Sequence, residues 1–173
     1  GNKFFHTDWR QIPAHQGGFL LDGGVHHVAG LRMVLGEVAV VNSLVTLHQP
    51  DLPPVDTLSA SLRFTSGALA SYSVTYAAGA PWYGALQVVG ERGALRINRN
   101  GALELTVDGQ TETLTVSGFT GIEGEFAAFA AAIRDGVPPS STPLEALRDV
   151  AVVEALLRSG ATGQRTAPEG IPD

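Results

Sequence analysis

The chain has 173 residues, of which 44% are hydrophobic and 16% charged, a composition typical of a globular domain with a sizeable core. Its formal net charge of −6 argues against nucleic acid or an anionic membrane as the main partner, because both bind to basic surfaces. It has no cysteine, which excludes disulfides and thiolate chemistry and fits a cytoplasmic protein.

The first predicted element is a short strand over residues 3–10, followed by a proline-containing loop over residues 11–16. Trp9, Arg10 and His15 lie just before the next segment and are candidate substrate-binding residues. Arg10 is suited to hold a carboxylate or hydroxyl group of a substrate. In the alternative interpretation, Trp9 covers the edge of the core and the Arg10 side chain extends to solvent.

Residues 17–35 are predicted to form a helix in which Asp22 and His26 are four residues apart and therefore share one face. A carboxylate beside an imidazole is suited to proton transfer near neutral pH. Glycines between them each cost about 1 kcal/mol of helix stability relative to Ala, so they indicate that backbone or ligand comes close. In the alternative interpretation, Asp22 is a local cap or turn residue and His26 is a satisfied core histidine.

The segment GGFLLDGGVH at residues 17–26 resembles the GG-x-L-x-D-x-G-x-H signature of the glucose–fructose oxidoreductase, inositol dehydrogenase and related (Gfo/Idh/MocA) family. In that family the signature opens a helix of the C-terminal, substrate-binding domain, and its Asp and His face the substrate near the nicotinamide. The resemblance therefore implies catalytic roles for Asp22 and His26. The family often has another Asp three residues after this His, where the present chain has Ala29.

His27 lies about 100° around the helix from His26, so we expect it to contact the sheet or solvent. Asp22, His26 and His27 offer ligand atoms for a metal ion in principle. Because the spacing indicates no further ligand, we predict no metal site.

Three strands are predicted in the middle of the chain, at residues 38–48, 57–64 and 68–76. In the third strand, Tyr72, Val74 and Tyr76 share a face that we expect to meet another subunit, because aromatic residues are enriched at interfaces. Trp82 follows in a loop. It is a candidate substrate-binding residue that stacks on a sugar, or an anchor that packs the loop down.

Two hairpins follow, at residues 84–97 and 102–116. The first of them also resembles a hairpin of the same family, I-x-G-x-x-G-x-L. The C-terminal third is predicted to be helical over residues 121–134, with one apolar face. A second helix is predicted to begin at an N-cap, Thr142, and to close at Ser159–Gly160.

The predicted fold class is α+β, with an open, mostly antiparallel sheet and helices packed on one face. The chain begins without Met, and it contains neither a G-x-G-x-x-G turn nor the family's Glu-Lys-Pro motif, whose lysine is usually taken as catalytic. We therefore expect a truncated or proteolysed piece of a longer protein. Residues 1–160 would be the C-terminal-like domain and residues 161–173 a loosely ordered tail, and the N-terminal Rossmann domain would be absent.

By resemblance, the chain is predicted to be the substrate-binding and oligomerisation domain of an NAD(P)-dependent oxidoreductase acting on a sugar, a polyol or a related alcohol or ketone. NAD or NADP would bind to the full-length protein but not to this chain alone, which would be inactive. The expected partners are the substrate and further copies of the chain, bound through the exposed sheet face. The alternative is a non-catalytic sensor or protein-interaction module of the same fold. No apolar run approaches the roughly 18 residues that span a bilayer, so no membrane partner is expected.

Overall fold

The computed structural model describes residues 7–12, 17–78, 84–98, 102–115 and 121–170. In chain order, its elements are α1 (Asp8–Gln11), α2 (Gly18–Leu35), β1 (Val38–Thr46), β2 (Thr57–Phe64), β3 (Leu69–Thr75), β4 (Ala85–Gly90), β5 (Gly93–Asn98), β6 (Ala102–Val107), β7 (Gln110–Thr115), α3 (Gly121–Asp135) and α4 (Pro143–Thr162). The chain divides into two compact units. The first contains residues 1–78 and 141–173, and the second contains residues 79–140.

The first unit is built on an antiparallel sheet with the strand order β1-β2-β3. In β2, Leu58, Ala60, Leu62 and Phe64 are buried and the residues between them are exposed, as the alternating pattern predicts. On the buried face, α4 packs against β1 and α2 packs against α4. The core of this unit is formed by side chains from both layers, among them Leu20, Val28, Val41, Leu58, Phe64, Val152 and Leu156.

Helix α4 begins where the sequence predicts, because the Thr142 hydroxyl oxygen accepts a hydrogen bond from the Glu145 N–H at 3.2 Å. Its predicted end at Ser159–Gly160 is wrong, since the helix continues to Thr162. Gly160 is a packing position: a Cβ atom there would lie 2.6 Å from Val45 of β1. The residue with left-handed backbone that ends the helix is Gly163 (φ 69°).

The predicted strand over residues 3–10 is wrong in the part that the structure describes, because Asp8–Gln11 form the short helix α1. The Ile12 N–H donates to the Asp8 carbonyl at 2.7 Å, and the Arg10 side chain donates to the Thr7 hydroxyl at 2.9 Å. These local hydrogen bonds close a turn that an extended strand cannot make.

Residues 161–170, for which the sequence predicts a loose tail, form several hydrogen bonds and an ion pair with the rest of the first unit. Thr166 and Val41 exchange backbone hydrogen bonds at 2.8 and 3.0 Å, which adds a single antiparallel bridge at the edge of β1. Arg158 and Glu169 form a salt bridge at 2.9 Å.

The predicted interface role of the aromatic face of β3 is wrong. Tyr72 and Tyr76 are buried within the first unit, where they lie under α2. Helix α2 comes close enough to cover Tyr76 because it carries glycine at position 23, where a Cβ atom would lie 2.0 Å from the tyrosine hydroxyl oxygen. The exposed side of β3 is instead its serine-rich face.

The second unit contains an antiparallel sheet with the strand order β4-β5-β6-β7. Its hairpins lie where the sequence predicts them. Gly93 (φ 152°) opens β5, and a Cβ atom there would lie 2.1 Å from the Thr106 carbonyl oxygen of β6. Helix α3 is confirmed as well, although its large apolar side chains, Ile122, Phe126, Phe129 and Ile133, are exposed.

The α+β class is confirmed, and its antiparallel strands form one sheet in each unit. In the first unit the helices lie on one face of the sheet, as predicted. None of the helices in the described ranges is long and apolar enough to cross a bilayer.

Candidate functional site

The start of α2 is fixed by two glycines that meet the loop between β1 and β2. Gly17 and Gly18 have φ angles of 99° and 47°, which side-chain-bearing residues rarely adopt. A Cβ atom at Gly18 would lie 2.0 Å from the Pro53 carbonyl oxygen. The double glycine that opens the signature therefore lets the loop lie directly against the beginning of the helix.

The same loop is held from within by Asp56, whose carboxylate is fully buried. Its Oδ2 atom accepts hydrogen bonds from the backbone N–H groups of His48 (3.0 Å) and Gln49 (2.7 Å). Its Oδ1 atom accepts from the Thr57 hydroxyl at 2.9 Å. These bonds satisfy a charge that would otherwise be costly to bury, and they fix the loop that contacts α2.

Asp22, one turn into α2, forms a salt bridge with Arg10 of α1. The Arg10 Nε and Nη2 atoms lie 3.0 and 2.7 Å from the same carboxylate oxygen, Oδ2. The Arg10 side chain is 13% exposed and the Asp22 side chain 31%. The guanidinium carbon also lies 5.5 Å from the centre of the Phe19 ring, within the range of a cation–π contact.

Tyr76 completes this cluster, although the sequence did not point to it as a site residue. Its ring meets that of Phe19 edge to face, with the centres 4.8 Å apart. Burial and, to a lesser degree, the negative charge of Asp22 raise the pKa of Tyr76 to about 12. Its hydroxyl fills the space that a Cβ atom of Gly23 would occupy, so the helical glycine was the signal for a group packed close by.

His26 lies one turn after Asp22 and is exposed. Its neighbour His27 contacts the sheet, as predicted from its position around the helix: the His27 Nδ1 atom lies 3.0 Å from the Tyr72 hydroxyl oxygen. Burial lowers the pKa of His27, with a smaller contribution from the nearby His26, and burial raises the pKa of Tyr72. Both members of the His27–Tyr72 pair are therefore neutral near pH 7, and His27, although exposed like His26, is engaged in its contact with Tyr72.

The other predicted site residues are only partly described. The backbone of Trp9 belongs to α1, beside Arg10. His15 and Trp82 lie outside the described residues. Within the described ranges, no three histidine or carboxylate side chains are grouped so that they could hold a metal ion.

Together, the antiparallel α+β fold and the Asp22–His26 helix, which opens on two glycines, define the class of oxidoreductase C-terminal domains. Residues 2–168 match the family described as "Oxidoreductase family, C-terminal alpha/beta domain" (GFO_IDH_MocA_C). The chain belongs to this family, which confirms the resemblance found in the signature.

Relatives of known sequence or structure agree with this assignment. The chain is 32% identical to Dehydrogenase FPY6 of Fusarium mangiferae over 169 residues, which cover 92% of this chain and 48% of that protein. It is similar to a crystal structure of an oxidoreductase from Thermotoga maritima, with a TM-score of 0.83 and 32% identity, over 96% of this chain and 49% of that one.

The fold is also that of a levoglucosan dehydrogenase solved in complex with NADH and L-sorbose. The TM-score is 0.84 at 20% identity, over 95% of this chain and 54% of that one. The chain thus spans about half the length of each of these three proteins.

Proposed function

We propose that this chain is the substrate-binding part of an NAD(P)-dependent oxidoreductase that interconverts an alcohol and a ketone or aldehyde in a sugar, a polyol or a related compound. The observation that carries the proposal is the pair on α2: a carboxylate held by Arg10 and, one turn later, an exposed imidazole. Support for the substrate class comes from relatives of the same fold, which were solved with L-sorbose or with glycerol.

In the proposed mechanism, the Asp22 carboxylate accepts a hydrogen bond from the reacting hydroxyl group and orients it. His26 takes the proton of that hydroxyl during oxidation and returns it during reduction. Because Asp22 is anchored by Arg10 while His26 is exposed, the two groups suit these different tasks. The substrate-binding roles that the sequence predicts for Trp9, His15 and Trp82 are part of this proposal.

The nicotinamide group would supply or accept the hydride. The described residues do not fit a dinucleotide-binding unit, because both of their sheets are antiparallel and such units are built on parallel strands. We therefore propose that NAD or NADP is bound by a part of the full-length protein outside this chain.

We also propose that the outer face of β1–β3 binds a second copy of the chain. These three strands carry no acidic residue and a single charged one, Arg63. Hydroxyl groups on this face form hydrogen bonds with each other across the strands, between Thr57 and Thr75 at 2.8 Å and between Ser59 and Ser73 at 3.1 Å. Because these hydroxyl groups are already paired, the free-energy cost of removing water from them is lower.

Sedimentation velocity tests this face. The wild-type protein is expected to sediment as an oligomer, and Leu44→Glu, on the exposed face of β1, is expected to lower its mass. Leu114→Glu, an exposed leucine on β7, is the matched control and leaves the mass unchanged. At a protein concentration of about 50 µM, a specific homodimer is expected to be largely associated. A wild-type protein that is monomeric at this concentration would overturn the proposal.

The proposed activity is tested on the full-length protein that carries this chain. Binding of NADH and NADPH is measured by fluorescence, and turnover is measured over a panel of sugars and polyols. His26→Ala is expected to retain cofactor binding and to lose turnover by about 100-fold or more, in line with the loss of a general acid or base. His48→Ala, an exposed histidine on the loop after β1, is the control and keeps wild-type turnover.

Two other outcomes would change the assignment. Cofactor binding without turnover on any substrate, together with unchanged ligand affinity in His26→Ala, would indicate a non-catalytic sensor of the same fold. A full-length protein that binds neither nucleotide would overturn the oxidoreductase assignment.

A further inference from the structure

Arg10 donates hydrogen bonds to only one of the two carboxylate oxygens of Asp22. A guanidinium group usually binds a carboxylate as a fork, with one N–H on each oxygen. Here both Nε and Nη2 are directed at Oδ2, at 3.0 and 2.7 Å. Across the residues that the structure describes, the second oxygen, Oδ1, accepts no hydrogen bond, while the Asp22 side chain remains 31% exposed.

The guanidinium group of Arg10 is itself held in place by Thr7 and Phe19. Its Nη1 atom donates to the Thr7 hydroxyl at 2.9 Å, and its plane lies near the buried Phe19 ring. Because the Arg10 side chain is more buried than that of Asp22, the fixed member of the pair is the arginine. The orientation of the Asp22 carboxylate is therefore fixed by Arg10.

We infer that Arg10 is a positioning residue that acts through Asp22: it holds Oδ2 so that Oδ1 is presented to a hydroxyl group of the substrate. This inference rests on the proposed function. A carboxylate is an acceptor with two oxygens, so occupying one leaves the other for the ligand. Arg10 also offsets the negative charge of Asp22, which suits a neutral, hydroxylated ligand. Its role thus differs from the direct substrate contact that the sequence suggests.

A double-mutant cycle on the full-length protein tests this role. With the substrate found in the panel, Arg10→Gln is expected to lower kcat/KM by about 10- to 100-fold, the size expected for one charge-assisted hydrogen bond. In the Asp22→Asn background, the same change is expected to lower kcat/KM by less than about threefold, because the group through which Arg10 acts is already altered. Effects that multiply in the double variant would overturn the inference.

Two controls separate positioning from a purely structural role. Arg92→Gln changes an exposed arginine in the turn between β4 and β5 and is expected to leave kcat/KM unchanged. Added guanidinium chloride at millimolar concentration is expected to restore turnover to Arg10→Ala, and not to Asp22→Ala. If Arg10→Ala is not rescued although its melting temperature equals that of the wild type, the positioning role is wrong.

A crystal structure of the full-length Arg10→Gln variant gives a readout that does not depend on turnover. The Asp22 carboxylate is expected to rotate or to split between two conformers, since its only ion pair in the described part of the chain is lost. An Asp22 side chain that keeps its wild-type position would overturn the inference, whatever the activity. A wild-type protein without turnover would instead count against the proposed function.

Discussion

The hydroxyl oxygen of Tyr76 occupies the place of a missing side chain, because a Cβ atom at Gly23 would lie 2.0 Å from it. Helix α2 and strand β3 can approach each other here only because position 23 carries no side chain. The same contact brings Tyr76 next to Gly23, the residue that follows Asp22. The distance between Tyr76 and the proposed site on α2 thus depends on a glycine that takes no part in the proposed chemistry.

Gly23→Ala is expected to destabilise the protein, although alanine is the better helix former by about 1 kcal/mol. The added methyl group must displace the buried Tyr76 ring, and overpacking of this kind costs about 1–3 kcal/mol. Gly30→Ala is the matched control in the same helix, because a Cβ atom there meets nothing within 4 Å. We expect it to stabilise by about 0.5–1 kcal/mol. Urea unfolding that gives both variants the same sign would contradict this account.

Local patterns predicted the elements well, because they depend on neighbouring residues. Alternation placed β2, and the capping residue Thr142 with Pro143 placed the start of α4. Helix α1 was missed because its single turn is too short for any periodicity to appear. Sequence patterns also show which residues share a face but not what covers it, and this is why Tyr72 was assigned to an interface instead of the core.

The candidate site was predictable only in part, for a related reason. The spacing of Asp22 and His26 on one helix, and the resemblance of their segment to a known signature, both follow from contiguous sequence. The Arg10–Asp22 salt bridge joins residues separated by a loop, and Tyr76 reaches the site from the position directly after β3. Such contacts arise from tertiary packing, which no local pattern encodes.

Arg32 is expected to be a charged position of the first unit where substitution is costly. Its side chain is 5% exposed and forms salt bridges with Glu37 and Glu145 at 2.7 Å and with Asp149. Arg32→Met removes the buried cation that these three carboxylates share and leaves Glu37 and Glu145 paired with the more exposed Arg148. We expect this change to destabilise by about 2–3 kcal/mol, since the carboxylates are only partly buried.

The matched control for this change is Arg158→Met, which removes an exposed partner of Glu169 and is expected to cost less than about 1 kcal/mol. Both values come from urea unfolding at pH 7. Equal losses in the two variants would show that the buried network contributes no more than a surface ion pair.

Tyr76→Phe is expected to change the rate of the proposed reaction without changing the shape of its pH profile. Burial and the Asp22 charge raise the pKa of Tyr76 to about 12, so its hydroxyl stays protonated throughout the usual assay range. Loss of this buried hydroxyl near the Asp22 charge is expected to lower kcat/KM by about 3- to 10-fold, because the surroundings of the carboxylate become less polar. A limb of the kcat/KM profile between pH 6 and 9 that disappears in Tyr76→Phe would contradict the pKa assignment.

His27 is expected to make the protein less stable as the pH falls below about 6.5, the unperturbed pKa of histidine. Its folded-state pKa is lowered, mainly by burial, so the unfolded chain binds a proton more readily than the folded one in this range. The contribution of His27 to stability is therefore complete above pH 6.5 and is lost as the pH falls towards the folded-state pKa.

His27→Gln is expected to reduce the slope of stability against pH, measured as urea midpoints from pH 7.5 to 5. It should also cost about 1 kcal/mol at pH 7.5, because the contact with Tyr72 is weakened. His48→Gln, on an exposed loop, should keep the wild-type slope, and an unchanged slope in His27→Gln would show that this imidazole does not take up a proton on unfolding.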